Sequence, residues 1–203
     1  MSILLVATDR NLTKVKDKLL KIDSSLEVQV WPDVKDYESV EFAALWKQPP
    51  TLIKSLPSLK AISSIGAGVD GILNDPDLPE NLPVARIVDP KLSEHMAEFV
   101  LSILLSHKCN LPLYLNLQRQ KVWKPKRRQT QNRVAILGLG KIGIPVAQRL
   151  SANGFQVSGW SQSEKHIEGI ETNFGSETLI PLCQSSDFIV CLLPVTMHTR
   201  NLF

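Results

Sequence analysis

With 203 residues, the chain is long enough to bury one large core or two modest ones. Its 43% hydrophobic and 21% charged residues describe an ordinary globular protein, and a formal net charge of +3 does not by itself call for nucleic acid. The 3 cysteines, Cys109, Cys183 and Cys191, show no paired metal-ligand spacing and suit a reducing cytosol; the apolar run in MSILLVATDR is too short for a signal peptide, and no stretch has the length of a membrane span.

In chain order, Ile3 to Ala7 is a continuous apolar run of buried-strand type. Asn11 is placed to cap a helix with Leu12, Val15, Leu19 and Ile22 on one face and lysines on the other. Leu26 to Trp31 alternates as a strand, and Phe42 to Trp46 is a third, closed by Pro49-Pro50. Thr51 to Leu56 suits a short helix, and Lys60 to Ile65 a fourth strand. Strands alternating with helices predict a parallel α/β sheet. Gly66-Ala67-Gly68-Val69-Asp70-Gly71 then falls at the carboxyl end of a strand, where open α/β sheets bind ligands. Glycines there can expose consecutive N–H groups to a carboxylate, although taken alone the stretch reads better as a plain strand-to-helix turn.

Val84 to Val88 is a fifth strand candidate. Asp89-Pro90 starts a helix, with Asp as cap and Pro in the first position. Leu92, Met96, Phe99, Val100, Ile103 and Leu104 recur at helical spacing, and Leu101 and Leu105 widen the stripe until most of the girth is apolar. That predicts a helix buried between domains or subunits. Arg119, Lys121, Lys124, Lys126, Arg127, Arg128 and Arg133 make the next stretch basic. With Trp123 as its only aromatic, it reads better as a solvated linker than as a nucleic-acid surface.

Asn132 to Ser161 organises the chain. The apolar run Val134 to Leu137 leads into Gly138, Gly140 and Gly143 as G-x-G-x-x-G. A helix follows with Ile142, Val146 and Leu150 on one face, stopped by Asn153-Gly154, and Phe155 to Trp160 is a second strand. This is the order and spacing of a dinucleotide-binding unit: one glycine for the tight turn, one for close approach of a pyrophosphate, one for helix packing. The helix start offers free N–H groups and a positive dipole to the phosphates. Pro145 is harmless in the first turn. Downstream, Ile170 to Phe174 predicts a short strand, Glu177 to Gln184 a helix, and Asp187 to Leu193 a buried strand ended by Pro194. Only the first half of a doubly wound sheet, plus the start of the crossover, is expected.

With these pieces placed, the sequence resembles the D-2-hydroxyacid dehydrogenase family, in its glyoxylate/hydroxypyruvate reductase A branch. The matching residues are Ala44-Leu45-Trp46 before Pro49-Pro50, Ile65 to Asp70, Glu94 to Phe99, Gly138 to Gly143, Trp160-Ser161, and Leu193-Pro194-Val195-Thr196 with Thr199-Arg200. The resemblance implies a flavodoxin-like substrate domain (1–90), an interdomain helix and basic linker (91–130), and an incomplete Rossmann domain (131–203). It implies reduction of a small 2-oxo acid with NADH or NADPH in the cytoplasm, and a homodimer in the full-length form. Trp46, Ala67 and Gly68 would meet the substrate, the last two through backbone N–H groups. Gly138 to Gly143, including Leu139, Lys141 and Ile142, would cover the pyrophosphate, and Leu193, Pro194, Val195 and Thr196 would flank the cofactor.

An NAD site usually ends its second strand with an acid, about 20 residues past the glycines, for the ribose 2′-OH. Ser161 stands there instead, so a 2′-phosphate meets no repulsion and Ser161, Ser163 and Lys165 can bond it. NADPH is therefore favoured over NADH, although the branch often carries Arg where this chain has Gln162. The family's catalytic Arg, Glu and His fall beyond the point matching Phe203, and none of His95, His107, His166 and His198 takes the catalytic place. The expectation is the N-terminal part of a reductase, truncated and weakly active or inactive. A non-catalytic nucleotide-binding or corepressor-like protein is the alternative.

Overall fold

The computed structural model describes residues 2–196 and 199–202, so His198 and Phe203 lie outside the described residues. The chain forms two compact units, Met1–Val88 with Pro194–Phe203 (unit 1) and Asp89–Leu193 (unit 2).

Unit 1 is a five-stranded parallel sheet in the order β2-β1-β3-β4-β5, from β1 (Ser2–Ala7), β2 (Glu27–Val30), β3 (Val40–Trp46), β4 (Ala61–Ser64) and β5 (Val84–Ala85). It is the flavodoxin-like order. The apolar run of β1 is buried throughout because both faces are covered. Leu4 and Val6 pack with Ala43, Leu45 and Ile62, while Ile3, Leu5 and Ala7 pack with Leu12 and Val28. Helix α1 (Thr13–Ile22) starts where expected, since Asn11 Oδ1 accepts the Thr13 N–H at 2.7 Å. Its apolar face is shorter than the periodicity predicts: Leu19 and Leu20 are half-buried, but Ile22 is 82% exposed. Thr51 to Leu56 tightens to a 3-10 turn at Ile53–Ser55. The fifth strand stops at Ala85, because Arg86 to Val88 turn out to solvent. Helix α2 (Asp70–Leu73) is a single short turn.

Unit 2 holds α3 (Pro90–Lys108), α4 (Leu111–Arg119), β6 (Arg133–Leu137), α5 (Gly143–Ala152), β7 (Gln156–Ser161), β8 (Glu171–Phe174), α6 (Ser176–Ser185) and β9 (Phe188–Cys191). Its sheet is parallel, in the order β8-β7-β6-β9. Counting from β6 this is 3-2-1-4, so the chain passes the point where the strand order reverses, further than half a doubly wound sheet. Asp89 caps α3 as predicted, its Oδ1 accepting the Lys91 N–H at 3.0 Å. Ala97, Val100 and Leu104 of α3 pack with Val146, Ala147 and Leu150 of α5 over Val134 and Ile136. The rest of α3 departs from the expected all-round burial: within the chain Phe99 is 60% and Ile103 51% exposed. Helix α4, with Pro112 in its first turn, has no counterpart in the sequence reading.

The basic stretch is not a loose linker. Asn110, left-handed at φ 57°, donates from Nδ2 to the Arg127 carbonyl at 2.9 Å and accepts at Oδ1 from Gln129 at 2.7 Å. The Tyr114 hydroxyl donates to the Lys126 carbonyl at 3.0 Å. These bonds strap the segment to the α3–α4 hairpin, while Trp123 stays 93% exposed. β9 alternates where a fully buried strand was expected: Phe188 and Val190 enter the core, and Ile189 and Cys191 face outward.

Asp187 closes the base of this sheet. Its Oδ2 accepts the N–H groups of Asn132 and Arg133, both at 2.9 Å, and its Oδ1 meets the Arg133 guanidinium at 2.8 Å. The guanidinium, then the two N–H groups, hold this carboxyl well below the usual carboxylate range. A depressed folded value means the tie stabilises above the unfolded carboxylate value near pH ~4 and is lost as pH falls toward the folded value. Urea midpoints of Asp187→Asn, followed by circular dichroism, should be lower than wild type at pH 7 and fall less steeply below pH ~4. Parallel acid slopes in the two proteins would refute this role.

Candidate functional site

The glycine turn lies at the carboxyl end of β6, beside the last residues of β9. Gly138 sits at φ +105°, and an added Cβ would stand 3.0 Å from the Leu192 carbonyl carbon. A Cβ on Gly143 would run into the Gly138 carbonyl. Both glycines are therefore demanded by the chain's own packing. Gly140 is different: a Cβ there meets nothing within 4 Å, so nothing in the protein requires glycine. A ligand approaching the backbone closely would. Among the described residues, the N–H groups of Leu139, Gly140, Lys141 and Ile142 bond nothing within the chain. These consecutive donors at a helix start suit a pyrophosphate. Lys141 is exposed, Ile142 half-buried, and the Leu139 side chain turns back into the core, leaving its backbone at the turn. Gly159 makes room for it, for a Cβ there would clash with Leu139 Cδ1 and Cδ2.

At the end of β7, Ser161 is buried, and its hydroxyl donates to the Ser163 carbonyl at 2.7 Å. Its proton is thus in use within the loop. Gln162 and Ser163 are exposed. Lys165 Nζ donates to the Leu139 carbonyl at 2.6 Å, a bond that no sequence pattern signals. Leu193 ends unit 2 beside Gly138, whereas Pro194, Val195 and Thr196 cluster with unit 1. There the Thr196 N–H bonds the Thr199 hydroxyl at 2.8 Å, and Val195 O accepts from Asn74 at 3.4 Å.

In unit 1 the turn from Gly66 to Gly68 is pinned by Ser64, a residue the sequence reading missed. Its Oγ accepts the Gly66 N–H at 3.1 Å and donates to the Gly68 carbonyl at 2.7 Å. The N–H groups of Ala67 and Gly68 bond nothing within the chain among the described residues. Gly66 lies against Trp46, and a Cβ on it would enter the indole ring. The Trp46 Nε1–H points to Asp9 Oδ2 at 3.3 Å, and the Arg10 guanidinium stands 5.1 Å from the ring centroid. Arg10, then Lys47, hold the Asp9 carboxyl well below its ordinary range, so it stays an acceptor throughout the physiological range. Trp46, Gly68 and Asp70 help line a cavity of about 160 Å³. His95 and His107 are exposed on α3, and His166 is exposed in the loop after β7.

A parallel 3-2-1-4 sheet with this glycine turn at its switch point defines a Rossmann-type dinucleotide-binding fold. A family model described as "D-isomer specific 2-hydroxyacid dehydrogenase, NAD binding domain" matches residues 101–203. The chain belongs to the D-isomer-specific 2-hydroxyacid dehydrogenase family, whose members are NAD(P)-dependent oxidoreductases. It is 32% identical over 183 residues to glyoxylate/hydroxypyruvate reductase A of Serratia proteamaculans, covering 87% of this chain and 58% of that protein. It is 34% identical over 179 residues to the protein of that name from Salmonella paratyphi B, covering 85% of this chain and 57% of the other. A 2-hydroxyacid dehydrogenase from Xanthobacter autotrophicus, solved with NADPH and MES, matches with a TM-score of 0.88 at 34% identity, over 99% of this chain and 66% of that one. An NADPH-dependent glyoxylate/hydroxypyruvate reductase from Sinorhizobium meliloti, solved with NADP and sulfate, matches at 0.87 and 33%, over 100% and 66%. The chain thus spans 57–58% of the length of these first two relatives.

The three glycines should separate by experiment. Gly143→Ala should abolish or strongly lower the folding transition of unit 2, because backbone must move. Gly140→Ala should leave the melting temperature within about 1 °C of wild type, yet weaken dinucleotide binding roughly tenfold or more. Equal melting losses in both variants would remove the distinction.

Proposed function

We propose that this chain carries the carboxylate-holding and dinucleotide-holding turns of an enzyme that reduces glyoxylate or hydroxypyruvate to the 2-hydroxy acid with NADPH. The observation that carries the reading is Gly140, a glycine free of its own chain in the midst of unbonded N–H donors. The similarity to reductases of these two acids, some solved with NADPH or NADP, supports it. Gly138 to Gly143, with Leu139, Lys141 and Ile142 between, form the pyrophosphate cradle. Gln162, Ser163 and Lys165 receive the 2′-phosphate; Ser161 contributes by not being acidic and by shaping the loop. Leu193, Pro194, Val195 and Thr196 flank the rest of the dinucleotide. Ala67 and Gly68 hold the substrate carboxylate through their N–H groups, and Trp46 limits the size of the acid. The cavity of about 160 Å³ lined by Trp46, Gly68 and Asp70 is where a small acid would sit.

When bound, the dinucleotide supplies the hydride. The proton needs a donor, and by family resemblance the Arg, Glu and His that orient and protonate the carbonyl match no position in these 203 residues. The 203-residue chain is therefore proposed to bind its ligands and to turn over little. A second reading is a nucleotide-binding protein without catalysis. The apolar faces of α3 and α4, with Phe99, Ile103, Leu111 and Leu115 exposed, are proposed to receive a second copy. No helix among the described residues is long and apolar enough to cross a membrane. Free Cys109, Cys183 and Cys191 support our placing the protein in the reducing cytoplasm.

A fluorescence titration tests the core of this reading. NADPH should bind saturably and more tightly than NADH, and the 203-residue chain should oxidise it with glyoxylate far below an ordinary rate of about 10 s⁻¹. Absence of binding to either nucleotide refutes the site. Ordinary turnover would mean that a residue of this chain supplies the proton, and would refute the proposed low activity.

A further inference from the structure

Lys165 is placed to do more than meet a 2′-phosphate. Its ammonium donates to the Leu139 carbonyl at 2.6 Å, in the middle of the glycine turn. Its own backbone is fixed, because the Thr172 hydroxyl on β8 donates to the Lys165 carbonyl at 2.6 Å. The loop it leaves is closed by Ser161 on Ser163 and by the bridge between Ile167 and Ile170. The lysine is thus a half-buried strut from the sheet to the turn.

The Leu139 carbonyl and the Gly140 N–H belong to one planar trans peptide and point in opposite directions. Fixing the carbonyl on one side fixes the N–H on the other. That N–H is unbonded within the chain, at the glycine whose Cβ direction is open. A charged donor on a carbonyl makes a stronger, more directional bond than a neutral one. A glycine peptide otherwise flips at low cost.

We propose that Lys165 is a positioning residue for the pyrophosphate. It locks the Leu139–Gly140 peptide so that the Gly140 N–H is aimed at the phosphate oxygens before the dinucleotide arrives. The inference rests on the dinucleotide reading above and deepens it. Cofactor affinity then depends on Lys165 whether or not a 2′-phosphate is present.

NADH separates this role from direct contact with the 2′-phosphate, which NADH lacks. Lys165→Met keeps the stem and removes the charge, Lys165→Gln is the second variant should Met fail to fold, and Lys165→Arg restores a charged donor. Fluorescence titrations with NADH and NADPH are paired with amide and carbonyl NMR shifts of Gly140 and Leu139 in the ligand-free chain. Loss of the strut should weaken NADH roughly tenfold, as expected for a charged hydrogen bond, and NADPH by at least as much. It should also shift the Leu139 carbonyl and Gly140 amide resonances, and Lys165→Arg should recover most of the NADH affinity. Unchanged NADH affinity in the Met and Gln variants overturns the proposal, whether NADPH binding falls or not. Wild-type protein that binds neither nucleotide overturns the dinucleotide reading, and this inference with it.

Discussion

Unit 2 depends on one steric fact: the Gly138 carbonyl fills the space any side chain at position 143 would need. Helix α5 can therefore dock on the end of β6 only at backbone distance. Among the described residues, the N–H groups from Leu139 to Ile142 bond nothing within the chain. Leu139 has one direction left, into the core, where Gly159 has no Cβ to oppose it. The strand glycine at 159 and the turn glycine at 143 thus serve one constraint. Packing leaves the donors of the turn unbonded, and Lys165, bonded to the Leu139 carbonyl, fixes the peptide that carries one of them.

Much of this was legible because the signals were short-range. Apolar runs gave β1, β3, β6 and β7; a capping Asp before Pro gave the start of α3; glycine spacing gave the turn. The misses share another cause. Helix α4 is short, and Asn110 before it is left-handed with its side chain bonded to Arg127 and Gln129 rather than to the helix, so Asn110 and Pro112 gave only a weak start signal. The basic stretch looked like a linker by charge alone and its side chains are mostly exposed, yet Asn110 and Tyr114 bind its backbone from 17 and 12 residues away, and Gln129 within it bonds the Asn110 side chain. Apolar periodicity on α3 and β9 was real, but it cannot say which face meets a partner within the same chain. Phe99 and Ile189 are the result.

The candidate site was readable in kind and less so in detail. Residue type placed Gly66 to Gly68 and Gly138 to Gly143 at strand ends, where a parallel sheet collects its ligands. It could not show that Ser64 locks the first turn or that Asp9 and Arg10 grip Trp46. Those side chains act on backbone or on another side chain across the fold, and such pairings leave no local spacing in the sequence.

The proposed preference for NADPH can now be weighed on charge rather than on a binding pocket. Sequence favours it only by an absence, since Ser161 replaces an acid. The Ser161 hydroxyl is already spent on Ser163, and Gln162 brings no charge, so the loop offers few specific partners. The surroundings are not neutral, however. Lys141 and Lys165 stand at the turn, with Glu164 beside Lys165 in the same loop; the strap from Arg119 to Arg133 is basic, but Arg133 is paired with Asp187. Screening at physiological salt limits each exposed charge to about 8 Å, so distant strap residues matter less than Lys141 and Lys165 at the turn itself. The ammonium groups of these two lysines favour the dinucleotide that carries more negative charge, in addition to any contact of the loop with its 2′-phosphate. On that account the preference is graded and sensitive to ionic strength, unlike the all-or-none rejection an acid at position 161 would impose on a 2′-phosphate.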